Sequence, residues 1–351
     1  GNKDQRDFQF VMNDGYLICT YEQARIQFMQ MKTPKNYNLL IFDEAHRLKN
    51  SESNIHLASS FINKKWCWML TGTPLENKKE DILSLLSILN VNQFNQEITN
   101  SEVSSITSQH MLRRLKNQVL DELPDLIEQE VLIDMTKKQT QEYYITYDKS
   151  LNIDRNDTGS ILGLITELKK ICNLAPESKE SGKVEYLKSI LSEIRSKDEK
   201  VIIFSQYVQT LKHLSENLDF KFEIYHGSLS SDEKEDAINN FKNSEGFNVL
   251  YMSLKAGGVG LNLQEASSVI LFDRWWNPAI EKQAIARAHR MGNTNTVHAI
   301  KLRTPNTIED RIIELLHEKE DLFDEIIEGA VTKREKSKLL EILNLEIKDE
   351  N

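Results

Sequence analysis

Short runs of Val, Ile, Leu and aromatic residues recur along the chain, and nearly every run gives way at once to a polar or glycine-containing cluster. Such runs read as strands buried on both faces. In the first third, Tyr16 to Cys19 leads into Thr20-Tyr21-Glu22, Leu39 to Phe42 into Asp43-Glu44-Ala45-His46, and Trp66 to Leu70 into Thr71-Gly72-Thr73-Pro74. A second series follows later. Val201 to Phe204 leads into Ser205-Gln206, Phe222 to Tyr225 into His226-Gly227, Val249 to Met252 into Ser253, and Val269 to Phe272 into Asp273-Arg274. Helical stretches separate the runs, and strand–helix alternation predicts an α/β fold with parallel sheets whose ligands sit beyond the carboxyl ends of the strands. The polar clusters fall at those ends.

Some helix starts are explicit. Ser230-Ser231-Asp232-Glu233 has capping-box spacing, with Ala237, Ile238 and Phe241 following at helical period. Thr307-Ile308-Glu309-Asp310 opens an amphipathic helix carrying Ile308, Ile312, Leu315 and Leu316. Between the strand series, Met111 to about Glu185 has few strand signals and reads as a helical connector. The tail from Lys333 reads as a terminal helix.

The chain of 351 residues is longer than one core usually holds, so two domains are expected. No apolar run is long enough to span a bilayer, and the first residues lack a secretory pattern, so the expected setting is intracellular: cytoplasm and nucleoid, or nucleus. Cys19, Cys67 and Cys172 lack metal-ligand or disulfide spacing and read as reduced packing residues. A net charge of -10 argues against bulk electrostatic coating of nucleic acid, so any such binding must use local patches.

Asp43-Glu44-Ala45-His46 after a buried strand has the form of a Walker B element, in which the first carboxylate holds magnesium through water and the second activates the attacking water. Two adjacent carboxylates at a strand end otherwise repel, and a bound cation supplies the missing charge. Thr71, Gly72 and Thr73, after the next strand, suit a loop coupling nucleotide state to its neighbours; alone they would be an ordinary turn. Gln283 to Gly292 reads as a helix on which Gln283, Arg287 and Arg290 share one face at i, i+4 and i+7, and arginine forks there suit a transferring phosphoryl group, although a solvated basic face would look the same. Lys255-Ala256-Gly257-Gly258-Val259-Gly260-Leu261-Asn262 is a glycine-rich loop whose amides suit phosphates, although a flexible turn would look the same. Asp273-Arg274-Trp275-Trp276-Asn277-Pro278 sets a cation and two aromatics at a strand end, and at least one tryptophan is expected to pack inside.

In this order the segments resemble the Swi/Snf-like ATPases of helicase superfamily II, from about Tyr16 to Ile327. The resemblance rests on Thr20-Tyr21-Glu22, the acidic motif followed by Arg47-Leu48-Lys49-Asn50, Leu70-Thr71-Gly72-Thr73-Pro74-Leu75-Glu76-Asn77, and Arg113-Arg114-Leu115-Lys116. It continues through Leu123-Pro124, Ile171-Cys172-Asn173, Tyr225-His226-Gly227, the glycine loop, Trp-Trp-Asn-Pro and the arginine segment.

The resemblance implies two RecA-like P-loop NTPase lobes: part of lobe 1 at 1–110, a connector at 111–185, lobe 2 at 186–330 and a tail at 331–351. It implies ATP and Mg2+ as cofactors, hydrolysis in a cleft between the lobes, and double-stranded DNA as partner, with a DNA-bound protein as a further target. By carry-over, Asp43 and Glu44 serve magnesium and water, and Arg287 and Arg290 complete the site. His46, Gly258, Gly260, Asn262 and Gln283 become candidates for nucleotide contact. Thr20, Ser205, Gln206, Lys255, Gly257, Arg274 and Trp275 become candidates for DNA contact.

Ala286, Asn293 and Leu174-Ala175-Pro176 depart from the family's usual residues without removing an arginine or a Walker B carboxylate. The larger departure is that no G-x-x-x-x-G-K-[ST] occurs; Gly182-Lys183 lacks both the preceding glycine and the following hydroxyl residue. The expectation is therefore a part of a larger polypeptide, with the loop upstream or on a partner chain. The competing expectations are a non-catalytic binding module on the same fold and an RNA-acting helicase of the D-E-A-H type.

Overall fold

Six of the seven runs read as buried strands pair in parallel, in two separate sheets. The computed structural model describes residues 15–30, 36–71, 79–89, 99–112, 123–154, 156–257, 260–290, 293, 295–318 and 342–343. It divides into two compact units, Gly1–Arg114 and Leu115–Asn351.

In the first unit, β1 (Asn36–Phe42) and β2 (Asn63–Met69) pair in parallel with Phe42 beside Met69, so their carboxyl ends are level. Helix α1 (Tyr21–Gln30) precedes β1, α2 (Asn54–Ser60) joins the strands, and α3 (Lys79–Ile88) and α4 (Asn100–His110) follow. Leu40, Phe42, Cys67 and Met69 face a core with Ala45, Leu48, Leu85 and Ile88. The register puts Leu39, Ile41, Trp66 and Trp68 on the opposite face, where they are exposed. Tyr16 to Cys19, expected as a strand, has no strand geometry. No described strand lies beside it to complete a ladder, and Tyr16 and Ile18 are almost fully exposed. Cys19 is likewise exposed rather than packed.

The second unit is built on a six-stranded, wholly parallel sheet in the order β3-β8-β7-β4-β6-β5. Its strands are β3 (Leu126–Leu132), β4 (Val201–Ser205), β5 (Phe222–Tyr225), β6 (Val249–Ser253), β7 (Ser268–Leu271) and β8 (Val297–Arg303). Every residue of β4, β6 and β7 is buried, which is why these segments read as continuous apolar runs. The helices are α5 (Lys137–Tyr147), α6 (Thr158–Asn173), α7 (Gly182–Ser196), α8 (Val208–Asn217), α9 (Ser231–Asn243), α10 (Leu254–Gly257), α11 (Pro278–Ile285) and α12 (Ile308–Glu318). Alternate strand residues meet different helices. Val201, Ile203, Val249 and Tyr251 pack with Leu187 and Leu191 of α7 and Leu211 of α8. Ile202, Phe204, Leu250 and Met252 pack with Phe241 of α9 and Ala284 of α11. Helices therefore cover both faces. The expected capping box at the start of α9 is present, with Ser230 and Glu233 bonding reciprocally.

The stretch expected as a separate helical connector differs from that reading. It supplies the edge strand β3, and α6 packs with Ile308 and Ile312 of α12 in a satellite core of the second unit. That core also includes Ile342 and Leu343; the rest of the expected terminal helix lies outside the described residues. Among the described residues, no helix is long and apolar enough to cross a membrane.

Candidate functional site

The level ends of β1 and β2 set Asp43-Glu44 against Leu70-Thr71. The Leu70 amide donates to the Phe42 carbonyl (2.8 Å), and the Ala45 amide donates to the Leu70 carbonyl (2.8 Å). Between these bonds the chain turns sharply into a 3-10 turn over Ala45–Leu48, and Glu44 takes φ 51, ψ 50. A left-handed backbone costs a non-glycine residue about 1–3 kcal/mol and persists only where its surroundings enforce it. Here both ends of the Asp43–Glu44 peptide are held. The Glu44 amide donates to Asp43 Oδ1 (3.0 Å), and Tyr21 Oη donates to the Asp43 carbonyl (2.8 Å).

Asp43 is exposed and Glu44 half-buried. His46 Nδ1 stands 3.3 Å from Glu44 Oε2 and 3.5 Å from Thr71 Oγ1, so one imidazole bridges the acidic turn and the following strand's loop. Glu44 Oε2 is closed off from solvent and makes no well-aligned hydrogen bond among the described residues, with His46 as its near neighbour. Hard carboxylate oxygens, one of them exposed, fit a magnesium ion that keeps most of its water. Among the described residues no cluster of three or more His, Cys, Asp or Glu could hold a metal by itself. Gly72 and Thr73 lie outside the described residues, and Thr20, at the start of α1, is exposed.

In the second unit the candidate residues cluster at the carboxyl ends of β4, β6 and β7, as the parallel topology requires. Several are turned inward, contrary to the expected DNA contacts. Asp273 is fully buried and gathers three donors: the Gln206 amide (3.0 Å), Asn173 Nδ2 (2.8 Å) and the Ser205 hydroxyl. Ser205 is therefore a structural hydroxyl. Gln206 is half-buried, its side-chain amide donating to the Arg274 carbonyl (3.2 Å). The Arg274 guanidinium is spent on Glu281, at 3.1 and 3.3 Å from Nε, and on Glu130 of β3. Trp275 is buried, and Glu281 also accepts its amide (2.7 Å). Trp276 packs on the satellite core with the Lys169 ammonium 4.2 Å from its ring centroid. Asn277 caps α11 with Pro278 behind it, so Trp-Trp-Asn-Pro anchors one helix start.

Lys255 is exposed at the end of β6, its Nζ 5.8 Å from the Trp275 ring centroid. Gly257 ends α10, and Gly258 lies outside the described residues. A Cβ at Gly260 would meet nothing within 4 Å, so packing within the chain does not demand glycine there. Asn262 is half-buried, its Nδ2 bonded to Gln264 and its Oδ1 without a hydrogen-bond partner among the described residues.

The three-residue helical face is corrected. The α-helix ends at Ile285, and turns follow, closed by Arg287 N–H to the Ala284 carbonyl and Ala288 N–H to the Ile285 carbonyl. Tertiary bonds enforce the break: Leu263 N–H takes the Arg287 carbonyl (3.0 Å), and His289 Nε2 meets the Pro124 carbonyl (2.8 Å). Gln283 and Arg287 are half-buried and Arg290 is exposed, on a helix end and loop rather than one stripe.

A family model described as SNF2-related domain matches residues 1–176, and the helicase conserved C-terminal domain matches residues 182–292. The chain belongs to the SNF2-related family. An "Uncharacterized ATP-dependent helicase" of Mycoplasma pneumoniae is 31% identical over 350 residues, covering 93% of this chain and 34% of that protein. The ISWI chromatin-remodeling complex ATPase ISW2 of Saccharomyces cerevisiae is 30% identical over 362 residues, covering 91% of this chain and 32% of that protein. The chain thus spans about a third of the length of these curated relatives. The Sulfolobus solfataricus SWI2/SNF2 ATPase core, solved in complex with dsDNA, aligns at TM-score 0.50 and 29% identity, covering 91% of this chain and 75% of that one. The fold is accordingly that of a SNF2-type, RecA-like ATPase core, with the parallel sheets and helical layers described above.

Proposed function

We propose that this SNF2-related chain is the downstream part of an ATP-driven motor that moves along double-stranded DNA and remodels what is bound there. The observation that carries the reading is the clamped acidic turn: Asp43 and Glu44 at level strand ends, with Glu44 joined through His46 to Thr71. In this reading Asp43 would hold magnesium through water, and the ion would supply positive charge to offset that of the phosphates. Glu44 orients the attacking water, accepting its proton at Oε2. Arg287 and Arg290 offer guanidinium groups of the kind that stabilise charge on a phosphoryl group.

No phosphate-binding loop motif occurs in this sequence, and the apolar side chains of Leu39, Ile41, Trp66 and Trp68, exposed on one face of the described sheet, support its supply by further polypeptide, of this protein or a partner chain. Lys255 and Thr20, both exposed, are the described candidates for phosphate-backbone contact. The duplex DNA in the Sulfolobus solfataricus complex supports DNA rather than RNA as the track. The test is ATP-dependent displacement of a triplex-forming strand from duplex DNA by the polypeptide carrying this chain and a phosphate-binding loop. Displacement without strand separation is expected. Binding to duplex DNA with no displacement would leave a non-catalytic module instead.

A further inference from the structure

We infer that Tyr21 is a positioning residue that sets the hydrolytic geometry of Glu44 and ties it to the helix start at Thr20; the inference rests on the motor reading above. Tyr21 is the first residue of α1, whose opening turn is closed reciprocally by Thr20 and Gln23: the Thr20 amide donates to Gln23 Oε1 (2.9 Å) and the Gln23 amide to Thr20 Oγ1 (3.2 Å). From this fixed point the Tyr21 hydroxyl donates to the Asp43 carbonyl (2.8 Å). Its ring is held on two sides, stacked on Phe42 with centroids 6.1 Å apart and covered by the Arg47 guanidinium at 5.1 Å. Arg47 in turn belongs to the acidic turn, its amide donating to the Glu44 carbonyl (3.1 Å).

The mechanical consequence follows from the strained backbone. Glu44 is left-handed, and the peptide before it relaxes by rotating unless both its groups are held. The Asp43 carboxylate holds the N–H and Tyr21 alone among the described residues holds the C=O by a side chain. Any displacement of the α1 start by a phosphate backbone at Thr20 moves the Tyr21 hydroxyl, and with it the carboxylate that orients water. Tyr21 thus gives the acidic turn a direct mechanical connection to a nucleic-acid contact.

The test compares wild type, Tyr21→Phe and Tyr21 replaced by 3-fluorotyrosine in the polypeptide that carries this chain and a phosphate-binding loop, with ATP hydrolysis followed across a duplex-DNA titration. For Tyr21→Phe, the DNA-stimulated kcat should fall roughly tenfold while the KM for ATP and the half-saturating DNA concentration stay within about twofold. The fluorotyrosine protein keeps the donor and should retain the wild-type kcat. Wild-type kcat in Tyr21→Phe, or equal loss in the fluorotyrosine protein, overturns the inference while leaving the motor reading intact. A wild type that DNA does not stimulate overturns the motor reading and this inference with it.

Discussion

Lys183 and Glu309 meet inside the second unit, 126 positions apart in sequence, with Lys183 Nζ 2.7 and 2.9 Å from the two carboxylate oxygens and side-chain exposures of 1% and 0%. Gly182-Lys183, the one pair in the sequence that faintly suggests a phosphate loop, is thereby explained. A Cβ at Gly182 would stand 2.1 Å from the Asp134 carbonyl oxygen, so glycine is needed for close backbone approach, and the lysine is an internal counter-ion. The Thr304 amide supplies Glu309 with a further donor (2.7 Å).

Removing one member of such a pair strands a charge in the core, whereas removing both need not. Lys183→Met should therefore cost about 3–5 kcal/mol, and Lys183→Met with Glu309→Met should recover all but about 1–2 kcal/mol of it. Urea unfolding of the second unit measures both. Additive losses in the double variant would show that the ion pair is not the coupled element.

Lys169 predicts a pH dependence. Burial pulls its pKa down to about 8, partly offset by the nearby carboxylates of Asp273, Glu309 and Glu281. The folded value lies below the unfolded one, so between these values the unfolded chain binds the extra proton and stability rises with pH. The cost of burying the ammonium is fully present below about pH 8 and is relieved as pH rises towards the unfolded value near 10.5. Relative to Lys169→Met, the wild type should gain up to about 1.4 kcal/mol per pH unit between roughly pH 8 and 9.5. Denaturant midpoints at those two pH values read it, and parallel curves for the two proteins would contradict it.

Arg274 and Lys255 should separate structure from contact. The Arg274 side chain is 14% exposed and balances Glu281, itself 3% exposed. Arg274→Ala should lower stability by about 2–5 kcal/mol by leaving Glu281 without its cation. Lys255 is exposed, so Lys255→Ala should change stability by less than about 0.5 kcal/mol while reducing the salt slope of duplex-DNA binding by about one. Melting curves and binding isotherms at several salt concentrations decide it. Loss of DNA binding without loss of stability in Arg274→Ala would reverse the assignment.

The central strands were readable because burial on both faces leaves one simple signal, an apolar run, as in Val201 to Phe204. The edge strand β3 carries no such signal. Its charges Glu128 and Glu130 are matched by Lys301 (2.5 Å) and Arg303 (3.6 Å) on the neighbouring strand, so the pattern becomes intelligible only once the pairing is known. Local pattern also failed at Arg287 and Arg290, where bonds from Leu263 and to Pro124, remote in sequence, shape the chain after the helix. The acidic motif was legible as chemistry, but its support was not. Nothing in the spacing of Tyr21 and Asp43 announces a hydroxyl-to-carbonyl bond, and the role of Asp273 as collector of three donors depends on strands and helices brought together by the fold.

Whether the clamped Asp43-Glu44 turn serves DNA-stimulated ATP hydrolysis is decided by phosphate release from the polypeptide carrying this chain and a phosphate-binding loop. Release is measured with duplex DNA, with RNA and with neither, beside a Glu44→Gln control. Strong stimulation by duplex DNA, little by RNA, and loss of at least about a hundredfold in the control are expected, the scale of removing the residue that orients the attacking water. Hydrolysis that Glu44→Gln leaves unchanged, or none with any nucleic acid, would contradict it.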